Sequence, residues 1–411
     1  MPAIPGGPVI PSRGIARAGA GDDAPEDVRA PLPTDSAAGV FWTFVGIRVA
    51  VWAGIALAFL AYPYRLPPAT PQYEVFEWRT ELLFNVFARW DAVWFLSIAS
   101  DGYTIEKEAA FFPLYPLLVY ALGGVVRSPL VAGVLVSLAA GGVAAVVLAK
   151  IARPLLGERG ARDAVLYLAL FPLSFFFTAV YSDGLFVALA TGAFLAALRN
   201  RPWLAGVLGG LAVGTRMIGL ALLPALAIVL WSHRRSLRAF VPLAVLPLAL
   251  GLYALVLRWQ LGDARAMFRA QGDFWDRHLA TLGPLGGLWE ATAAAVTGIV
   301  DAVHTGDPGA TLNVLYFLLL LAAFALTWIA WRSLGPAFGV YSLAYLAVPL
   351  TVPGSLPLVS FPRFLLGDFP LFLALAAVLA NRPRERQIVL CAFAAVGALA
   401  AFGFARNAFI A

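Results

Sequence analysis

Charge is what this chain has least of. Only 13% of its 411 residues are Asp, Glu, Lys or Arg, about half the share usual in soluble proteins, and that scarcity excludes a soluble globular fold. Cysteine is nearly absent: Cys391 stands alone in an apolar run, so no disulfide framework and no thiolate metal site can be built. No internal repeat of the kind that marks many transporters is present. The ten-residue alternation that a transmembrane β-barrel requires is missing too. What fills the chain is apolar: 61% of residues are hydrophobic and the mean hydropathy is +0.83. Apolar runs of roughly 17–25 residues, the length that crosses a bilayer as helix, recur along it. The fold class is therefore an all-α polytopic membrane protein, with membrane lipids as its surroundings.

The placement of charge says more than the net value of +6. Arginines cluster in short gaps between apolar runs, as in cytoplasmic loops under the positive-inside rule, so nucleic acid is not an expected partner. Residues 1–38 are rich in Pro, Gly, Ala and mixed charge; such a segment cannot bury a core and reads as a disordered cytoplasmic tail. It lacks the apolar core and cleavage site of a signal peptide. Residues 39–411 read as one transmembrane domain. Spans are expected near 41–61, 129–149, 164–180, 184–198, 203–215, 217–231, 239–257, 311–330, 336–352, 364–380 and 388–405, about eleven in all. Pro113 and Pro116 each remove a backbone donor, so 111–127 is expected to be a re-entrant or interfacial dip. With the N-terminus inside, the basic clusters 150–162, 199–201, 234–238 and 382–386 then fall on the cytoplasmic face. Two large loops, 62–110 and 258–310, face the other side, together with Asp91, Asp101, Asp183 and Arg363. Loops of that length are seldom mere connectors. The Ala- and Gly-rich, Pro-broken composition suggests a bacterial chain, and hence a plasma membrane.

Asp91 lies between Trp90 and Trp94 in Arg89-Trp90-Asp91-Ala92-Val93-Trp94. An aspartate so placed, at the water-facing edge of a membrane segment, is hard to explain as packing. A helix over 87–99 puts Trp90, Val93, Trp94 and Ser97 on one face, with Asp91 at its edge. Tryptophans at headgroup depth are ordinary anchors, so spacing alone leaves Asp91 equally a solvated neighbour of such an anchor. Arg216 interrupts a long apolar stretch, where arginine is costly and by default functional, or pairs with Asp183. Asp183 could equally cap a helix. In the second loop Arg269, Arg277 and His278 compete with the plain reading of a solvated face, while His233 and His304 read as loop residues. Asp91 and Asp101 are isolated acids with no compact Asp-x-Asp near them, so no obligatory metal and no other cofactor is expected.

Three blocks carry a resemblance. They are Trp90-Asp91 with Ile98-Ala99-Ser100-Asp101-Gly102-Tyr103 and Phe111-Phe112-Pro113-Leu114-Tyr115-Pro116; Phe171-Pro172-Leu173-Ser174 with Tyr181-Ser182-Asp183; and Ser360-Phe361-Pro362-Arg363-Phe364. In this order they resemble the PIG-V-type mannosyltransferases, integral-membrane glycosyltransferases of the GT-C fold. Asp183 departs from the glutamate common at that position, which leaves its role open. The resemblance implies a polyprenyl- or dolichyl-phosphate mannose donor and transfer on the non-cytoplasmic face. It makes Asp91 the catalytic base that takes the acceptor's proton, with inversion at the sugar carbon. The donor phosphate calls for arginine: Arg363 first, Arg216 second, with Arg269, Arg277 and His278 as loop candidates. Trp90, Trp94, Asp101, Tyr103, Tyr115 and Asp183 are expected to line the site. The acceptor, a lipid or a glycan, cannot be read. The alternatives are a transporter or flippase of a lipid-linked substrate, or an inactive scaffold subunit of a glycosylation complex.

Overall fold

The computed structural model describes residues 36–61, 82–406 and 408. The tail reading for 1–35 and the stretch 62–81 of the first outer loop lie outside the described residues. Everything regular among the described residues is helical, apart from one antiparallel bridge between Arg277 and Gly354. The principal helices are α1 (Ala37–Ala61), α2 (Ala92–Asp101), α3 (Leu114–Val126), α4 (Pro129–Leu170), α5 (Asp183–Leu198), α6 (Pro202–Val213), α7 (Leu222–Arg234) and α8 (Val245–Gln260). They continue with α9 (Ala266–Trp275), α10 (Pro284–Thr305), α11 (Pro308–Ser333), α12 (Pro336–Thr351), α13 (Phe361–Phe364), α14 (Phe369–Leu379) and α15 (Pro383–Ala405).

Among the described residues six helical stretches are long and apolar enough to cross a bilayer, Ala37–Leu57, Pro129–Leu170, Met217–Arg234, Leu237–Gln260, Pro308–Ser333 and Pro383–Ala405, and the bent pair Phe361–Gly367 with Phe369–Leu379 makes a seventh if it is one span. Several are apolar on their outer faces too, with Trp42, Leu57, Leu248, Leu252 and Leu399 exposed, as a lipid solvent demands. Helix α3 has 13 residues, about 20 Å at 1.5 Å per residue, less than the ~30 Å of a hydrocarbon core. Glycines let the helices close on one another. A Cβ on Gly184 of α5 would lie 2.7 Å from the Ser137 carbonyl oxygen of α4, and one on Gly206 of α6 would lie 2.1 Å from that of Pro242.

The structure corrects four of the expected elements. The span 164–180 is helical only to Leu170, and residues 171–182 form buried turns with one 3-10 turn at Ser174–Phe177. Pro172 is the reason: the residue before a proline is driven out of the α region, and Phe171 has ψ 138°. The carbonyls freed there are met from α1, where buried Arg48 donates to the Ala169 carbonyl and to Ser174 Oγ at 2.8 Å. The helix expected over 87–99 starts only at Ala92, because Trp90 is left-handed (φ 57°). The span 364–380 is broken at Asp368, with Phe361–Gly367 bent by 83° from α14. The loop 258–310 is largely the helices α9 and α10, and α10 packs back on α11 through the Gly306-Asp307 turn. The break expected within 203–231 is present, as Gly214–Arg216 between α6 and a 3-10 turn at Met217–Ala221.

These breaks share one end of the bundle. The start of α5, the turn after α6, the end of α12 and the crosswise α13 meet there.

Candidate active site

Tyr181 is the post around which the site is built. It is fully buried in the non-helical segment before α5. Its hydroxyl donates to the Arg89 carbonyl at 2.9 Å and accepts from the Asp91 amide at 3.1 Å. Those bonds hold the backbone on both sides of the left-handed Trp90, and so fix where the Asp91 carboxylate is aimed. Tyr181 is held in turn from α4: Ser137 Oγ donates to its carbonyl at 3.0 Å and lies 2.8 Å from the Tyr115 hydroxyl.

Into this frame α13 inserts Arg363. Its Nη1 donates to Asp91 Oδ2 at 2.8 Å; its Nη2 and Nε donate to Asp183 Oδ2 at 3.0 and 3.1 Å. The guanidinium carbon lies 4.4 Å from the Tyr181 ring centre and 4.8 Å from that of Phe176. Arg216, at the turn after α6, donates to Asp183 Oδ1. Arg277, between α9 and α10, takes a different kind of partner. Its Nη1 and Nη2 donate to the carbonyls of Val352 (3.1 Å) and Val359 (3.4 Å). The Phe364 ring lies 5.4 Å from the Arg216 guanidinium and 5.7 Å from that of Arg277. Burial pushes the Arg277 guanidinium below its ordinary pKa, and the Asp91 charge acts the other way.

These groups surround a cavity of about 300 Å³, lined by Asp91, Arg216, Arg277 and Arg363 with Phe111, Ser182, Thr215, Gln271, Trp275 and Phe364 among others. Three guanidinium groups against two carboxylates leave one positive charge. The walls are mainly apolar, so that charge acts at low dielectric, where it is felt strongly. A cavity of this size and mix, with a few converging polar groups, is what small-ligand sites look like.

Of the residues singled out in the sequence, Asp91, Asp183, Arg216, Arg277 and Arg363 are brought together here. The others are not in the cavity. Arg269 is exposed and pairs with Glu106 and Asp263, both at 2.7 Å. His278 is exposed, with Nε2 3.0 Å from Glu290 Oε2. Asp101 is exposed at the end of α2. Tyr103 is buried beneath the loop and donates to the Phe111 carbonyl at 2.6 Å. Tyr115 supports α4 from behind, as above. Trp90 donates to the Ala408 carbonyl at 3.2 Å. Trp94 sits at the rim, stacked on Phe111, with the Lys107 ammonium 5.0 Å from its ring centre. Gln271 had no signal in the sequence, and Tyr181, Thr215 and Trp275 stood beside the residues singled out there without a role of their own. Tyr181 acts on residues some ninety positions away, and only the fold reveals such a contact.

The class of molecule this defines is a polytopic all-α membrane protein with a buried aspartate–arginine cavity at one end of its helix bundle. Residues 58–243, somewhat under half of the chain, match the protein family described as Mannosyltransferase (PIG-V). The chain is similar to "GPI alpha-1,6-mannosyltransferase 2" of Cricetulus griseus, 38% identical over 151 residues, 34% of this chain and 31% of that protein. The protein of the same name from Mus musculus is 35% identical over 170 residues, 38% of this chain and 34% of its own length. "GPI mannosyltransferase 2" of Drosophila pseudoobscura pseudoobscura is 32% identical over 139 residues, 30% of this chain and 31% of its own length. The chain thus spans about a third of the length of the curated relatives it matches. Arg277 and Arg363 lie beyond the matched segment, yet they complete the cavity begun by Asp91, Asp183 and Arg216 within it.

Proposed function

We propose that this chain is a membrane glycosyltransferase of the GT-C kind, a mannosyltransferase that uses a polyprenyl-phosphate donor and Asp91 as base. The observation that carries the reading is the charge of the site: Asp91 at the cavity wall and Asp183, ion-paired behind it, face three guanidinium groups, and a single positive charge is left over. A lipid-phosphate sugar is a phosphodiester with one negative charge, which matches that surplus. Arg277 is the group best placed to receive it, since its hydrogen bonds go to carbonyl oxygens and not to a carboxylate.

The reaction balances with the groups at hand. The acceptor hydroxyl oxygen bonds to the sugar's anomeric carbon as the bond from that carbon to the phosphate oxygen breaks. The proton passes to Asp91, and the electron pair leaves with polyprenyl phosphate. The phosphate gains a second negative charge in this step, so guanidinium groups stabilise the transition state more than the bound donor, which is the condition for catalysis. Attack from the face opposite the phosphate inverts the anomeric centre. Asp91 is paired with Arg363 at 2.8 Å, and a carboxylate so engaged has little to offer a hydroxyl proton. Donor phosphate competes for that guanidinium and releases Asp91 when the substrate is in place.

Replacing Asp91 with Asn keeps a hydrogen-bond acceptor beside Arg363 and removes the base. Mannose transfer from labelled polyprenyl-phosphate mannose to a lipid extract of the native host is expected to fall by about 10²–10⁴-fold while donor binding stays. Normal turnover would refute the assignment; donor binding without any transfer in the wild type would point to a carrier instead. Because arginines supply the positive charge, transfer is expected to persist in EDTA, and its loss there would show a required metal.

A further inference from the structure

A second cavity lies at the other end of the helices that carry the site. Helix α6 leads from Pro202 to the turn that presents Arg216, and the chain returns through α7 to Arg234. Where those two ends meet, a cavity of about 480 Å³ is lined by Arg201, Arg234 and Arg238, with Trp203, Ser236 and Pro242 among its other walls. Among the described residues no carboxylate lines it, and the sequence has no Asp or Glu between Asp183 and Asp263. The three arginines come from the turn after α5 (Arg201), the last residue of α7 (Arg234) and the 3-10 turn that follows α7 (Arg238), and converge. Arg234 is held in place by Asn200, its Nε donating to Oδ1 at 2.7 Å.

The surroundings are as informative as the charge. Trp203 and Leu237 are exposed beside the cavity, 63% and 75% accessible. Tryptophan and leucine so exposed next to arginines mark a layer where acyl chains meet headgroups. Guanidinium groups match the fork geometry of phosphate oxygens, this trio has no acid partner among the described residues, and basic pockets between transmembrane helices suit phosphate-bearing headgroups. The exposed apolar rim then takes the chains.

We infer that the cavity of Arg201, Arg234 and Arg238 is a phosphate-binding site, filled by the headgroup of an anionic phospholipid or by a free phosphate, separate from the Asp91 site. The site places a phosphate contact under the hairpin of α6 and α7 whose far end holds Arg216.

The test uses the full chain in detergent, with phosphatidylglycerol and phosphatidylcholine as probes and retention read by native mass spectrometry. Phosphatidylglycerol is expected to bind in preference. Arg201→Gln with Arg238→Gln is expected to weaken it roughly 20- to 30-fold, at about fivefold per arginine. Ser236→Trp keeps every charge but fills the cavity, and is expected to weaken it as well. Arg332→Gln, a basic residue at the end of α11 and outside this cavity, is expected to leave retention within about twofold. Equal loss in Arg332→Gln and the double variant would reduce the site to general surface charge and overturn the proposal. So would full retention in Ser236→Trp, or no preference between the two lipids. Inorganic phosphate displacing the lipid at millimolar levels identifies a free anion as sufficient; failure to displace it assigns the site to the headgroup with its chains.

Discussion

Arg277 and Arg363 look alike in the sequence and differ in what their removal tests. Arg363 bridges Asp91 and Asp183 in a buried place. Deleting it leaves Asp91 without its cation and Asp183 with Arg216 alone; breaking a buried pair of this kind costs about 3–5 kcal/mol, so Arg363→Ala is expected to loosen the site along with any loss of donor. Among the described residues the Arg277 side chain hydrogen-bonds to carbonyl oxygens and to no carboxylate. Arg277→Ala is therefore expected to leave the thermal midpoint nearly unchanged and to weaken donor binding by about 10- to 100-fold, the worth of a charged hydrogen bond or two; titration with a polyprenyl phosphate measures it, and an unchanged affinity would remove Arg277 from the phosphate site. Tyr181→Phe separates positioning from binding. It removes the hydroxyl that holds Arg89 and Asp91, so kcat is expected to drop by about tenfold with the donor Kd unaltered.

The site depends on helices that stop early. Helix α4 gives way at Phe171 because Pro172 follows, and α13 lies across the bundle because the chain bends by 83° at Asp368. The turns so formed carry Tyr181 and Arg363 to the same place. Close packing then holds them: Gly184 follows Asp183 and touches the α4 backbone. A methyl group there pushes α5 away from α4, and overpacking of this kind costs typically 1–3 kcal/mol. Gly184→Ala is expected to lower the thermal midpoint in detergent and to cut turnover further than the stability loss explains, since it shifts Asp183. A midpoint and turnover equal to wild type would mean that the contact can relax. The apolar runs in the sequence announced these segments as membrane helices. Of the breaks that shape the site, only the Gly214-Thr215-Arg216 interruption was expected; the spans 164–180 and 364–380 were read straight through the breaks at Phe171 and Asp368, and the angle of each break depends on neighbours far along the chain.

At the scale of the whole molecule the aspartate–arginine cavity and the arginine cavity lie at opposite ends of the same hairpin, which makes sidedness testable. In a Cys391→Ser background, His278→Cys is expected to react with an impermeant maleimide added outside intact cells, and Arg235→Cys only after lysis. The reverse pattern would turn the molecule over and put transfer on the inner face.

Composition by itself determined the all-α membrane class, because 61% apolar residues in runs of bilayer length have no other stable home. Sequence blocks also marked Asp91, Asp183 and Arg363 as belonging to one pattern. The tertiary structure alone decided that Arg277 joins them while Arg269 and His278 pair with surface acids, that Tyr181 sets the aim of Asp91, and that Arg363 rests on the proposed base. The reason is physical: a hydrophobic run is a local property, whereas the partner of a buried charge is chosen by whichever opposite charge or carbonyl the packed helices bring within about 3 Å.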